Sequence, residues 1–296
     1  MNKSPKKKKK MSSLTYNLIV TVMFLFGLLV LLYPTLSDIY NKLRNQTLIV
    51  NYENIVSNIS ETDYSEIMKQ AREYNDQHLN NTFTDAFDGE EYILSHPYDT
   101  LLNPGGNNIM GYIEIPKLSI RLAIGHGTGV ETLERGVGHI EGTSLPIGGP
   151  STHSVLSAHR GLPSAKLFTD LDEIVLKDKF FLYILNESLA YEVDKITVIE
   201  PDEADELAII EGEDLVTLLT CTPYGVNSHR LLVRGHRIPY VAQDVIEEAS
   251  HHTIAKRDRP VFVLAIGVCV LFIIILIFGI IKRRKEKEEK NGQKVK

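Results

Sequence analysis

The chain has 296 residues, of which 43% are hydrophobic and 24% charged, with two cysteines and no tryptophan. That is a globular composition and excludes an intrinsically disordered chain. The formal net charge is −6, with the positive charge gathered at the two ends; the acidic body between them lacks the basic footprint that a nucleic-acid partner requires.

Residues 1–13 form a basic segment that holds Lys3 and the lysines at 6–10. Residues 14–33 are apolar apart from Thr15, Asn17 and Thr21, about the 20 residues that one membrane-spanning helix needs. No Ala-x-Ala-like cleavage site lies near Tyr33-Pro34-Thr35-Leu36, which favours an uncleaved signal anchor over a removed signal peptide. Residues 261–281 are uncharged and run straight into Lys282-Arg283-Arg284-Lys285, the pattern of a second span with a stop-transfer signal and a basic cytoplasmic tail at 282–296. The expectation is a two-span cell-membrane protein with its domain on the extracellular face and a membrane-proximal linker at 241–260.

Residues 34–80 read as a helical region. Leu36, Ile39, Tyr40 and Leu43 recur at helical spacing, and a second helix starts near Asp63 ahead of Ile67, Ala71 and Tyr74. Nothing in these helices suggests chemistry. Residues 81–108 show no period and are rich in Asn, Asp, Gly and Pro, and so long a stretch is usually functional or disordered. From Met110 the pattern is β: Ile113 and Ile115 alternate with polar residues, as do Leu118, Ile120, Leu122 and Ile124. Further strands are expected at 154–158, 179–186, 189–200, 214–221 and 230–238. Seven or eight short strands over 109–240, separated by glycine-rich turns, predict a mainly β domain, a closed barrel or a sandwich rather than a doubly wound fold.

Cys269 lies inside the second apolar run, so Cys221 is the sole thiol of the globular part and has no partner for an intrachain disulfide. It is either an inert core cysteine or a nucleophile. A nucleophilic thiol needs a base or a positive neighbour. The choice of histidine is among His126, His139, His153, His159, His229 and His236. His159 stands out because it ends the strand Val155-Leu156-Ser157-Ala158 and opens the loop Arg160-Gly161-Leu162-Pro163, where side chains can converge on a cleft. Arg230 opens the strand after Cys221; if those two strands are neighbours, its guanidinium reaches the space over the thiol and can hold an oxyanion. No zinc-spaced His/Cys cluster, phosphate-cradling glycine loop or His-Glu-x-x-His motif is present, so no metal or cofactor is expected.

Thr217-Leu218-Leu219-Thr220-Cys221 resembles the TLxTC signature of sortases, the cysteine transpeptidases of Gram-positive cell surfaces. The run from Thr222-Pro223-Tyr224-Gly225 to Arg230-Leu231-Leu232-Val233-Arg234-Gly235 is similar to class C, the pilus-assembling branch. So are Met110-Gly111-Tyr112-Ile113-Glu114-Ile115-Pro116, Gly138-His139-Ile140-Glu141-Gly142-Thr143-Ser144-Leu145-Pro146 and Ser157-Ala158-His159-Arg160-Gly161-Leu162-Pro163. The resemblance covers about 110–240 and implies a sortase β-barrel of about eight strands, flanked by N-terminal and transmembrane helices. It implies Cys221 as nucleophile, His159 as general acid and base, and Arg230 as stabiliser of the oxyanion or substrate. The implied substrates are pilins with an LPxTG-like sorting signal, cleaved between Thr and Gly and passed to an acceptor lysine of the next subunit.

Class C members also carry a lid, an Asp-Pro-aromatic segment before the barrel. The resemblance puts it at Asp85-Ala86-Phe87, where alanine replaces the proline and the turn is less rigid. The rival is His96-Pro97-Tyr98, which keeps Pro97 and the aromatic Tyr98 but lacks the acid. Competing readings of the whole chain are a sortase that anchors proteins to cell-wall peptide, a hydrolytic cysteine peptidase, and a non-enzymatic adhesion domain. Cys221 with His159 and Arg230 argues against the last of these.

Overall fold

The computed structural model describes residues 13–78, 97–250 and 267–270 and the single positions 272, 277, 279 and 281. The chain divides into two units, one of residues 1–35 with 254–296 and one of residues 36–253. Helix α1 runs Ser13–Val56 without a break at Pro34, and α2 runs Glu61–His78. Among the described residues eight strands follow: β1 Ile109–Ile115, β2 Ile120–His126, β3 Val137–His139, β4 Thr152–Ser157, β5 Lys179–Ile184, β6 Glu187–Ile199, β7 Asp214–Thr222 and β8 His229–Ile238. A short helix, α3 Val130–Arg135, joins β2 to β3, and α4 Ala242–Ser250 follows the last strand, within the stretch expected as a linker.

The strands close into a barrel in the order β1-β2-β3-β4-β7-β8-β6-β5. Two of the neighbouring pairs are parallel, β2 with β3 and β4 with β7; the remaining pairs are antiparallel. Parallel neighbours need a crossover, and α3 supplies it for the first pair. The barrel core holds Phe180, Leu182, Ile184, Leu156, Leu218 and Val233. β1 is buried along nearly its whole length because the helices cover its outer side.

The helices are part of this core. Ile49, Tyr52 and Val56 of α1 and Met68, Ala71 and Tyr74 of α2 are buried at helical spacing. Ser60 Oγ accepts a bond from Asp63 N at 3.1 Å, a side-chain cap that starts α2 at Glu61, two residues before the expected Asp63. The packed face of α1 begins later than its apolar period suggests: Leu36, Ile39, Tyr40 and Leu43 are exposed, and Asn45 is fully buried. Asn45 accepts from Ala123 N at 3.1 Å and donates to Arg135 O at 2.7 Å. Asn75 accepts from Leu145 N at 2.7 Å and donates to Leu145 O at 3.2 Å. Each asparagine meets barrel backbone groups that have no water to turn to. Tyr52 does the same, donating to Met110 O and accepting from Leu185 N, both at 2.7 Å.

β3 was not expected as a strand, because His139 sits among glycines. Those glycines are required by contact: a Cβ at Gly138 would lie 2.3 Å from Gly127 O, and one at Gly136 would lie 2.6 Å from Ala123 O. The two-span expectation is corrected. Among the described residues one helix, Leu18–Val56, is long and apolar enough to cross a membrane. Most of 261–281 lies outside the described residues, as do 1–12 and 282–296.

Candidate active site

The register of the barrel brings three distant parts of the chain into one row. β7 and β8 are antiparallel, and Cys221 pairs directly with Arg230. Directly opposed residues on one sheet face have Cβ atoms about 5 Å apart. β4 and β7 are parallel, with Ser157 opposite Leu219; continuing that register by two residues sets His159 beside Cys221. Side chains two apart on a strand share a face. His159, Cys221 and Arg230 therefore stand on the same face of three adjoining strands.

That face is the outer one. Leu156, Leu218 and Leu231, the odd-man neighbours in each strand, point into the barrel core. A second, smaller cluster lies outside it: Val155, Leu232, Ile199 and Leu207, with Ile140 and Leu219 packed against them. Leu219 precedes Cys221 by two residues, Leu232 follows Arg230 by two, and Ile199 pairs with Arg230. The polar row thus sits at one end of a small buried apolar cluster on the outer face of the barrel.

Backbone pairing between β4 and β7 ends just short of the row, and side chains take over. Ala158 N donates to Leu219 O at 3.2 Å, and Thr220 Oγ1 donates to Ala158 O at 2.8 Å. Phe168 N donates to His159 O at 3.2 Å and closes the loop that His159 opens. The Arg230 guanidinium donates through Nη1 to His229 O at 3.1 Å and Asn227 O at 3.3 Å, which holds it at the mouth of the β7–β8 turn. Cys221 is a free thiol, half-buried.

The other histidines have structural partners. His139 is fully buried, with Nδ1 on the Tyr98 hydroxyl at 2.8 Å and Nε2 on Ser144 O at 2.9 Å. His153 bonds Ala208 O at 2.9 Å and Thr217 Oγ1 at 2.7 Å, and its burial holds the imidazole below its ordinary range. His126 bonds Leu101 O at 2.6 Å. His229 pairs with Thr222, one place off the row, and its Nε2 lies 3.1 Å from Glu200 Oε1. His236 pairs with Leu215 at the far end of β7.

Asp85 and Phe87 lie outside the described residues. Of the rival pair, Pro97 is exposed, while the Tyr98 ring is buried against His126, His139 and Tyr74. The Tyr98 hydroxyl also accepts from Gly127 N at 3.0 Å. An aromatic held this way in the core is not a cover over Cys221. Among the described residues no group of three or more His, Cys, Asp and Glu side chains is placed to hold a metal ion. Three residues around the row were not singled out from the sequence: Arg160, Thr222 and Asp172. Arg160 adjoins His159 in a quoted motif, which was a usable signal; Asp172, twelve residues further on, carried none.

A closed eight-stranded barrel with a thiol, an imidazole and a guanidinium in one row is the architecture of a cysteine acyl-transfer enzyme. Residues 113–238 match the model of the sortase domain. Sortase C1 from Streptococcus agalactiae is 45% identical, with 66% of this chain and 100% of that one covered at a TM-score of 0.59. A Clostridium perfringens sortase C, solved with the C-terminal cell wall sorting motif, is 43% identical over 66% of this chain and 99% of that one, with a TM-score of 0.56. A pilus-related sortase C of Group B Streptococcus is 42% identical over 64% and 96%, at 0.57. The chain belongs to the class C sortases.

Proposed function

We propose that this chain is a cysteine transpeptidase that polymerises pilin subunits. The reading rests on one observation, the register that pairs Cys221 with Arg230 and runs on to His159. The Cys221 thiolate attacks the Thr carbonyl of an LPxTG-like sorting signal, and Arg230 donates to the developing oxyanion. As the intermediate collapses, the Thr–Gly bond breaks and His159 protonates the leaving glycine amine. The thioester that remains conserves the acyl bond energy, so no nucleotide is needed. A lysine amine of the next pilin then attacks the thioester, His159 takes its proton, and Cys221 leaves as thiolate with an isopeptide bond formed.

In this reading 109–240 is the catalytic barrel and 34–80 its helical buttress, while the apolar first half of α1 anchors the chain in a membrane. Asp85 and Phe87 remain the assignment for the covering pair, since Tyr98 is occupied in the core. Asp85→Ala then raises the alkylation rate of Cys221; an unchanged rate removes the assignment.

The full-length chain incubated with an LPxTG peptide and a lysine-bearing pilin gives a thioester on Cys221, then a lysine-linked product, and Cys221→Ala gives neither. Activity retained in Cys221→Ala overturns the reading. Release to water alone, with pilin present, makes the protein a peptidase instead.

A further inference from the structure

We propose that Arg160 is a positioning residue for the transpeptidation site, a buried staple that holds the His159 loop against the end of the Cys221 strand. The inference rests on the roles given above to Cys221 and His159, and names what keeps them in register. The last paired residues of β4 and β7 are Ser157 and Leu219, so His159 and Cys221 lie two places beyond the ladder. The bonds that span this gap come from side chains on either flank. On the near flank Thr220 Oγ1 reaches Ala158 O. On the far flank Arg160 Nη1 reaches Thr222 Oγ1 at 3.0 Å.

Arg160 and Thr222 each neighbour a residue of the row and alternate to the opposite face, so the staple lies behind the row and leaves its substrate face open. The Arg160 side chain is only 4% exposed, and its Nη2 is paired with Asp172 Oδ2. Asp172 belongs to the turn Leu171–Glu173, whose approach through Phe168 also anchors the His159 carbonyl. A planar fork that binds two partners at fixed angles suits this task, and a lysine cannot reproduce it. Among the described residues the Arg160 Nε has no hydrogen-bond partner, and the guanidinium bonds through Nη1 and Nη2 to the two side chains that fix the loop. A buried cation kept on two bonds needs a return to explain its cost, and the geometry of His159 against Cys221 is that return.

The test measures kcat, KM and the pH dependence of Cys221 alkylation in the full-length chain, with a fluorogenic LPxTG-type peptide as substrate. Arg160→Gln lowers kcat by roughly 10- to 100-fold with KM little changed, as misplacement of a catalytic pair does. The pH profile of Cys221 alkylation shifts as the His159 loop leaves its place beside the thiol. Thr222→Val keeps the arginine but removes its acceptor, and shifts both readouts in the same direction by less. Arg160→Lys restores only part of kcat. Combining Arg160→Gln with Thr222→Val costs less than the product of the single losses, because one bond is broken twice. Should Arg160→Gln not fold, Thr222→Val carries the test alone. The proposal is overturned if kcat survives in either folded variant, or if kcat falls with no change in the alkylation midpoint. Activity that persists in Cys221→Ala overturns the assignment of the site itself, a result independent of what Arg160 does.

Discussion

Replacing Arg230 isolates the oxyanion term of the proposed reaction. Arg230 stands directly across from Cys221 in an antiparallel pair, with Cβ atoms about 5 Å apart, and among the described residues both its hydrogen bonds use Nη1 and end on backbone carbonyls. The Nη2 and Nε side of the fork is therefore the side that can meet a substrate oxygen beside the thiol. Loss of one fixed donor to an oxyanion costs about 10²- to 10³-fold in kcat, roughly 2.7–4 kcal/mol. Arg230→Met, similar in length and neutral, is expected to lose that much, with KM within a few-fold of the parent. Arg230→Lys keeps the charge and loses the fork, and falls between them. The assay is single-turnover acylation of Cys221 followed by mass spectrometry, alongside steady-state kcat and KM. An Arg230→Met enzyme within three-fold of the parent in acylation rate refutes the oxyanion role. A loss confined to KM refutes it as well, because that is the mark of an interaction made equally in ground and transition states.

Three further outcomes follow from the packing. His153 is held neutral first by burial; because its folded value lies below 6.5, the unfolded chain binds the proton more readily. Its contribution is whole above that pH and is lost as pH falls through the depressed value. The urea midpoint therefore drops more steeply below pH 6.5 in the parent than in His153→Gln; equal slopes show that His153 is not the group responsible. Asn75→Ala leaves the buried Leu145 N–H and C=O without their side-chain partner and costs about 1–3 kcal/mol, read as a lower urea midpoint at unchanged slope; a loss below 0.5 kcal/mol contradicts this. Gly161→Ala acts twice: φ is +78°, and the added Cβ would lie 3.1 Å from the Tyr224 ring. Its kcat falls, and Tyr224→Ala restores it only in part because the left-handed strain of about 1–2 kcal/mol persists. Full restoration shows that the clash alone matters.

The candidates for the row were legible because Cys221 and His159 each sit where the sequence marks a strand end. Thr217-Leu218-Leu219-Thr220-Cys221 stops an apolar run at a thiol, and Val155-Leu156-Ser157-Ala158 stops one at His159. The order of strands was not legible: nothing local shows that β4 lies beside β7, since that neighbour relation is set by closure of the barrel. β3 was missed because glycines needed for close backbone approach look, in sequence, like glycines needed for a turn. The packed face of α1 was not legible for a related reason. Its apolar residues at 36–43 are exposed, while Asn45 is buried by the backbone groups it satisfies. Tyr98 read as the aromatic of a rival lid segment beside a proline, and only the three-dimensional neighbourhood of His139 and Gly127 takes it into the core.

The inner face of the barrel guards the chemistry of the outer one. Strand side chains alternate with a period of two, so a one-residue slip of β7 would turn Cys221 inward and Thr220 outward. Leu218 and Val216 of β7 are buried in the core beside Leu156 of β4 and Leu231 and Val233 of β8, and turning the two β7 side chains out would cost about 1.5–3 kcal/mol each. That penalty forbids the slip wherever the ladder is paired. Between β4 and β7 the pairing ends at Ser157 and Leu219, so beyond them the ladder holds Cys221 through β8 alone. In the proposed reaction a thioester forms and is resolved in the space above the row. Thr220 and Arg160 restore the register from behind without closing that space. A core mutation such as Leu218→Ala should therefore lower stability far more than kcat in the folded fraction, while Thr222→Val should do the reverse. The two residues lie on the strand that carries the thiol, so opposite outcomes for them separate the packing that fixes the strand from the staple that fixes its end.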